Sequence, residues 1–361
     1  MDSTANEQLE IDQAYLPRFK MIYLSKNMAA YTGAHYQQDV IEEMDRQHEV
    51  FFYGPGFPHY DPEDKIDDVI SKAPFSKPDL ICVGHSWLGD DATKGIHIHQ
   101  DLNLQNTQIP KVMILNKEYV LLKEKLDFVR NNDVQVVFSH LHNIQDYAEE
   151  SERTKFIFWP FAANHHTFYD RNLPKKYDLS FTGVLRNRYY SHTQEDFRIR
   201  VQKELFYCID EFRIVKKWKY RNLDFYWRGV PTSSRARRLD QRIHSGKPLD
   251  VHAYAELLNQ SSACLCSLSP LGLISPRYFE SMASKCIVLC PMTSEHKYHF
   301  KDGFNCVMVN NDLSDFKEKL LFAIDVDSTS GIRENAFIDV MHNHTWSVRV
   351  NQFTKDISHL V

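Results

Sequence analysis

Short apolar runs alternate with longer amphipathic segments along nearly the whole chain, and the alternation occurs as two successive sets. A run of five or six apolar residues has the length of a strand buried on both faces. A longer segment with apolar residues every three or four positions reads as a helix with one buried stripe. Strands separated by helices are joined by crossovers, so they lie parallel in a sheet covered on both sides. In the first set the strand candidates are FKMIYLS (19–25), EVFFYG (49–54), DLICVG (79–84), KVMILN (111–116), VQVVFS (134–139) and KFIFWP (155–160). Helices are predicted at 35–47, 118–131 and 143–151, and a long loop or broken helix at 85–110. In the second set the strands are DLSFTGV (178–184), LDFYWRG (223–229), ACLCSLS (263–269), KCIVLCP (285–291) and CVMVNN (306–311). Helices are predicted at 192–212, 234–244, 252–260, 276–284, 313–325, 332–341 and 346–360. The expectation is an α/β protein of two Rossmann-like, doubly wound domains facing across a cleft. The polar stretch 164–177 separates them. We place the first domain at 1–172, the second at 173–342, and a final helix at 343–361 that packs back toward the first domain.

Composition agrees with two sizeable cores. The chain has 361 residues, 43% of them apolar and 25% charged, with 23 Phe and 18 Tyr. Mean hydropathy is −0.47, and no apolar run reaches the ~18 residues of a membrane span. The start, MDSTANEQLEID, is polar and acidic, unlike a signal or transit peptide. Seven cysteines, mostly inside apolar runs, read as buried thiols in a reducing compartment, so a cytoplasmic location is expected. Net charge is −5 but unevenly spread. Residues 1–170 carry 15 Lys+Arg against 27 Asp+Glu, residues 171–242 carry 18 against 8, and residues 243–361 carry 10 against 13. The middle stretch is the part prepared for an anion. No nucleic-acid module accompanies it, so a small phosphorylated ligand fits at least as well as nucleic acid, and a solvated basic helix face is the alternative.

The most informative segment is SLSPLGLISPRYFESMASKCIVLCP (267–291). A strand ends, a glycine-containing loop follows, and Ser275-Pro276 opens a helix, Ser being a good N-cap and Pro favoured at the first helical position. Arg277 and Glu280 stand one turn apart. Free amides at 275–277, the helix dipole and the Arg277 guanidinium can jointly hold a diphosphate, and Glu280 can accept hydrogen bonds from ribose hydroxyls. The alternative is a simple ion pair on a surface helix.

The run Arg277-Tyr278-Phe279-Glu280-Ser281-Met282-Ala283-Ser284 resembles the donor-binding signature R-x-F-E-x-[LM]-A of GT-B glycosyltransferases, in particular the CgeB/YkvP-like group (glycosyl transferases group 1-like). Three further passages are similar to that group: Trp159–Asn164 with Phe168, Tyr177–Gly183, and His344-Thr345-Trp346 with Arg349. The resemblance covers about 155–355. Over the first half it is architectural, apart from Tyr53-Gly54-Pro55-Gly56. It implies a metal-independent hexosyl- or pentosyltransferase that takes a nucleoside diphosphate sugar as co-substrate, without a cofactor, and a glycan or glycoconjugate as acceptor. Donor contacts implied with it are Gly33, Gly183, Arg186, Arg188, Arg228, Gly229, Tyr254, Ser275, Arg277, Tyr278 and Glu280. Arg186 and Arg188 would neutralise the leaving diphosphate, and Tyr254 would stack on the base or belong to the core. The sequence departs from the paired-Glu form, which has a first Glu eight positions before the second. Gly272 stands there, so loop amides around Leu271–Ser275 would have to hold the sugar. Lys285 replaces the Gly that follows the signature.

Histidines supply the remaining candidates. His85 and His140 follow strand candidates, so both fall at the carboxyl edge of the first sheet, where either could orient or deprotonate an acceptor hydroxyl. Each could equally be a structural loop residue. His97 and His99 with Asp101 could bind a metal, but spacing fixes no third strong ligand, and no metal is expected. The reading is a glycosyltransferase with Arg277, His85 and His140 as catalytic candidates. The alternatives are a nucleotide-sugar epimerase of the same architecture and a non-catalytic nucleotide- or sugar-binding protein.

Overall fold

The computed structural model describes residues 16–29, 35–89, 100–148, 153–184, 197–207, 225–230 and 249–361. The chain divides into two compact units. The first comprises Met1–Pro160 with Trp346–Val361, and the second Phe161–Thr345.

The first unit holds a six-stranded sheet made of β1 (Lys20–Leu24), β2 (Glu49–Tyr53), β3 (Leu80–Val83), β4 (Lys111–Ile114), β5 (Val136–Ser139) and β6 (Lys155–Phe158). The order is β2-β1-β3-β4-β5-β6 and every pairing is parallel. Every residue of β3, β4 and β5 is buried, which is why their sequences are apolar without alternation. β6 is an edge strand and is only partly covered. Helix α1 (His35–Gln47) connects β1 to β2, α2 (Ile66–Lys72) precedes β3, and α3 (Leu122–Asn131) lies between β4 and β5.

The second unit holds β7 (Tyr177–Val184), β8 (Phe225–Val230), β9 (Ser261–Leu265), β10 (Ile287–Pro291) and β11 (Val307–Val309). Their order is β11-β10-β9-β7-β8, again parallel. Its helices are α4 (Phe197–Tyr207), α5 (Val251–Asn259), α6 (Pro276–Ala283), α7 (Ser294–His299), α8 (Phe316–Ile324) and α9 (Ser330–Asn343). Leu179, Phe181, Leu265, Ile287, Leu289, Val307 and Leu320 belong to one core cluster. In each sheet the strand order reverses once, between β1 and β3 and between β7 and β9. Ligands of such sheets bind outside the carboxyl ends of the strands that flank the reversal.

The last helix, α10 (Trp346–Ile357), is part of the first unit. Trp159 Nε1 donates to Arg349 O at 2.8 Å, and Arg349 Nε donates to Pro160 O at 2.9 Å. Phe353 packs on Phe138 with ring centroids 4.9 Å apart. No helix among the described residues is long and apolar enough to cross a membrane.

All eleven strand candidates form strands. The helices differ in places. The segment 118–131 is helical only from Leu122, because Lys117 and Leu121 take left-handed backbone angles and break it. The described part of 143–151 forms a single 3-10 turn, Ile144–Asp146. Two helices of six and seven residues, α7 and α2, escape the sequence reading, since each is too short to show a period. The helix expected at 234–244 lies outside the described residues, as do 90–99 of the expected loop.

Candidate functional site

Chemistry-bearing side chains gather at the carboxyl edge of each sheet. In the first unit, the loops leaving β1, β2 and β3 are tied together. Ser25 Oγ lies 2.7 Å from Ser86 Oγ, which also accepts from Lys26 N at 2.9 Å. Asn27 N donates to Pro55 O at 2.9 Å. The Tyr53-Gly54-Pro55-Gly56 turn fits only because Gly54 has φ +144 and no side chain. A Cβ there would stand 2.1 Å from Ser25 O.

On this platform the two predicted histidines meet. His85 follows β3 and His140 follows β5, two strands away, and their rings stack at 5.1 Å with the Nε2 atoms 2.9 Å apart. Both are 3% exposed. His140 Nδ1 lies 2.7 Å from Trp159 O. The strand between β3 and β5 is β4, and Glu118 on the loop that leaves it is wholly buried. Glu118 Oε1 accepts from His140 N at 2.7 Å and from Ser139 Oγ at 3.2 Å. The same loop is held from below by Lys125, which donates to Asn116 O and Lys117 O. Burial pushes the pKa of His85 well below the usual histidine range, and the neighbouring His140 adds to this. Burial also lowers that of His140, against the opposing pull of Glu118. Glu118 is the residue the sequence reading missed, because it falls inside a predicted helix where a carboxylate looks solvated.

In the second unit, β9 runs into a tight 3-10 turn, Pro270–Gly272, and then into α6. Ser275 takes the extended N-cap conformation with Pro276 at the first helical position, but its hydroxyl makes no capping bond. Tyr278 is wholly buried, its hydroxyl 2.6 Å from His296 Nε2 and its ring stacked on Phe300. Glu280 is 2% exposed, which removes the picture of an ion pair on a solvent-facing helix. Arg277 is partly buried with its guanidinium 5.7 Å from the Phe181 ring centroid. Arg198, in the first turn of α4, lies 6.0 Å from the same ring, and its Nε donates to Ser267 Oγ at 2.5 Å. That bond joins the elements following β7 and β9, across the point where the strand order reverses. Arg198 was not singled out in the sequence, where it is one of many basic residues. Tyr254 sits in the core of the unit, edge-on to Phe168 at 5.8 Å. Its phenol is pushed well up, by burial first and then by Glu280. Beneath α6, the Cys264 thiol is drawn down to about 7 by a hydrogen bond with Cys266, and Arg277 adds to this.

Gly272 has φ +80, and a Cβ on it would stand 2.7 Å from Glu295 Cγ. A side chain at this position would therefore collide with one already present, which is the local reason for glycine. Gly183 and Gly229 pair in register in β7 and β8, as do Thr182 and Arg228. Gly33, Arg186, Arg188, His97 and His99 lie outside the described residues.

Comparison with known proteins adds three findings. A family model described as glycosyl transferase-like matches residues 210–355, less than half of the chain. No match was found among curated proteins. Among solved structures, HepE of Anabaena, crystallised with UDP and glucose, superposes with a TM-score of 0.57 at 10% identity, covering 95% of this chain and 100% of that one. Sucrose-phosphate synthase of Thermosynechococcus elongatus gives 0.57 at 12% identity, covering 95% and 99%. A glycosyltransferase of Rickettsia africae gives 0.55 at 11% identity, covering 95% and 98%. At these identities the likeness concerns the fold. The chain has the GT-B fold, two Rossmann-like doubly wound units.

Proposed function

We propose that the chain is a glycosyltransferase that moves a sugar from a nucleoside diphosphate sugar to a hydroxyl of a glycan or glycoconjugate. The observation that carries the reading is the carboxyl edge of the second sheet. There the turn after β9 delivers the opening of α6, with Arg277 beside it and Glu280 one turn deeper, at the strand-order reversal where α/β sheets bind ligands. The glycosyl transferase-like match over 210–355 spans this segment. The amides at 275 and 277 and the Arg277 guanidinium stabilise negative charge on the departing diphosphate, with Arg198, Arg186 and Arg188 as further cations. Glu280 accepts from the ribose hydroxyls, while Tyr254 and Tyr278 lie buried in the core of the unit.

The finer reading is a member of the CgeB/YkvP-like group, acting on hexosyl or pentosyl donors without metal or cofactor. Its place of work is the cytoplasm, a reading favoured by the free, buried thiols of Cys82, Cys264, Cys266, Cys286, Cys290 and Cys306.

The test is thermal shift with UDP-, GDP-, ADP- and TDP-sugars. One donor should raise the midpoint, and free sugar should then be released slowly in water. Glu280→Ala should weaken that donor ~10- to 100-fold, about the worth of one hydrogen bond to a charged group, while leaving the fold intact. An unchanged shift in Glu280→Ala removes the site. Conversion to another nucleotide sugar would instead favour an epimerase, and binding without turnover a non-catalytic binder.

A further inference from the structure

The turn that leads into α6 is held in a costly shape. Leu271 takes left-handed backbone angles, φ 62 and ψ 18, and its apolar side chain is 39% exposed. Gly272 follows with φ +80. Neither the backbone nor the leucine gains from this arrangement, and strain of this kind gathers at ligand sites, where the surroundings hold it. The space beside Gly272 is taken by Glu295. The position a Cβ would have on Gly272 lies 2.7 Å from Glu295 Cγ, 3.0 Å from Cδ and 3.5 Å from Oε1. The carboxylate itself, and not only its stem, lies against the turn. Glu295 is the second residue of α7, and α7 is fastened to α6. Thr293 caps it, with Oγ1 accepting from His296 N at 3.2 Å and lying 2.7 Å from His296 Nδ1. His296 Nε2 lies 2.6 Å from the Tyr278 hydroxyl, and Phe300, just after α7, stacks on the Tyr278 ring at 5.3 Å. Burial, with His299 adding to it, lowers the pKa of His296 to about 3, so the ring stays neutral and the fastening holds at ordinary pH. Glu295 is thereby fixed relative to the opening of α6, which begins three residues after Gly272.

We propose that Glu295 reads the sugar of the donor, its carboxylate accepting from hydroxyls of a neutral sugar and turning away a sugar that carries a carboxylate of its own. The inference rests on the glycosyltransferase reading above. It narrows the substrate class to nucleoside diphosphates of uncharged, hydroxylated sugars and excludes uronic acid donors. The argument is electrostatic. A carboxylate fixed beside a diphosphate site opposes the binding of that anion. Its presence there is compatible with a nucleotide sugar when it faces the sugar, because hydroxyls donate strongly to a charged acceptor. A uronate in the same place would set two like charges against each other, and such a juxtaposition is a strong means of rejecting a wrong ligand. The strained turn serves the same end: glycine at 272 leaves room for the carboxylate, and the left-handed Leu271 brings the chain round it.

Calorimetric titration of the full chain tests this in two stages. UDP, GDP, ADP and TDP identify the nucleotide. The glucose and glucuronate conjugates of that nucleotide, which differ only at C6, are then compared. Wild-type protein should bind the glucose conjugate ~10-fold or more tightly than the glucuronate conjugate, the worth of a hydrogen bond to a charged group. E295Q should bind the bare nucleoside diphosphate as wild type does, which also reports an intact fold. It should lose most of the preference, by weaker binding of glucose and tighter binding of glucuronate. E295D keeps the charge but withdraws it by one methylene, so it should weaken the glucose conjugate and still reject glucuronate. Equal affinity of wild type for the two conjugates, or an unchanged preference in E295Q, overturns the role of Glu295 and leaves the transferase reading standing. Loss of bare nucleoside diphosphate binding in E295Q overturns it too, since the carboxylate would then serve the nucleotide end. Failure of wild-type protein to bind any of the four nucleoside diphosphates or their sugars sinks both.

Discussion

A few residues set the geometry of both edges through what their neighbours leave room for. Gly54 shows this most sharply, because its φ of +144 suits glycine and its missing Cβ faces the carbonyl of Ser25. Gly54→Ala must therefore move the loop after β1 or distort the turn. We expect a loss of at least ~2 kcal/mol, from an unfavourable backbone angle together with a backbone clash. Urea denaturation measures it, and a change under ~0.5 kcal/mol would mean that the turn can relax freely. The sequence showed the glycine only as the end of a strand candidate within the Tyr53–Gly56 passage, and its contact with Ser25 was not readable, since the two are 29 positions apart. Glu118 shows the opposite case. As a letter it belonged to an amphipathic run, and only the left-handed residues at Lys117 and Leu121 take it out of the helix and into the core.

At the scale of elements, His48 links three of them. It sits between α1 and β2, its Nδ1 accepts from Phe19 N at 3.3 Å just before β1, and its Nε2 lies 3.1 Å from Thr354 Oγ1 on α10. Burial, with Arg18 nearby, lowers its pKa to about 4. The unfolded chain would protonate near 6.5. Above that pH both states are neutral and the contribution is fully present. As pH falls from about 6.5 to about 4, the unfolded state takes up a proton that the folded state refuses, so stability drops by up to ~1.4 kcal/mol per pH unit. His48→Gln keeps an acceptor for Phe19 N and removes the titration. Chemical denaturation at pH 7 and pH 5 should show a smaller difference in the variant than in the wild type. Equal differences would show that other groups govern the acid limb. The strands themselves were legible because both their faces are buried, and the short helices α2 and α7 were not because one or two turns carry no periodic signal.

At the scale of the whole molecule, the first unit is assembled from both ends of the chain. Trp346, Val350, Phe353 and Ile357 are buried in it, and each is worth about 1.5–3 kcal/mol of burial. That sum is comparable to the entire stability of a typical domain. Removing residues 346–361 should therefore abolish the cooperative unfolding of the first unit, with loss of near-ultraviolet dichroism from Trp159. A retained transition would mean that the sheet closes its core by other means. The pairing of His85 with His140 belongs to this scale too. Each could be placed at a strand end from sequence. Their meeting depends on β3, β4 and β5 being neighbours, which puts the two histidines within ~10 Å across one intervening strand, close enough for their side chains to stack.

The sequence by itself determined the two parallel sheets, the eleven strands and the loop-to-helix passage at 267–284, because burial on both faces and helix-opening chemistry are local and leave their mark in consecutive residues. Only the tertiary structure decided strand order, the inward turn of Glu118, the joining of Arg198 to Ser267 and the stacking of the two histidines. Those depend on which distant segments become neighbours, and a chain's local preferences carry no record of that.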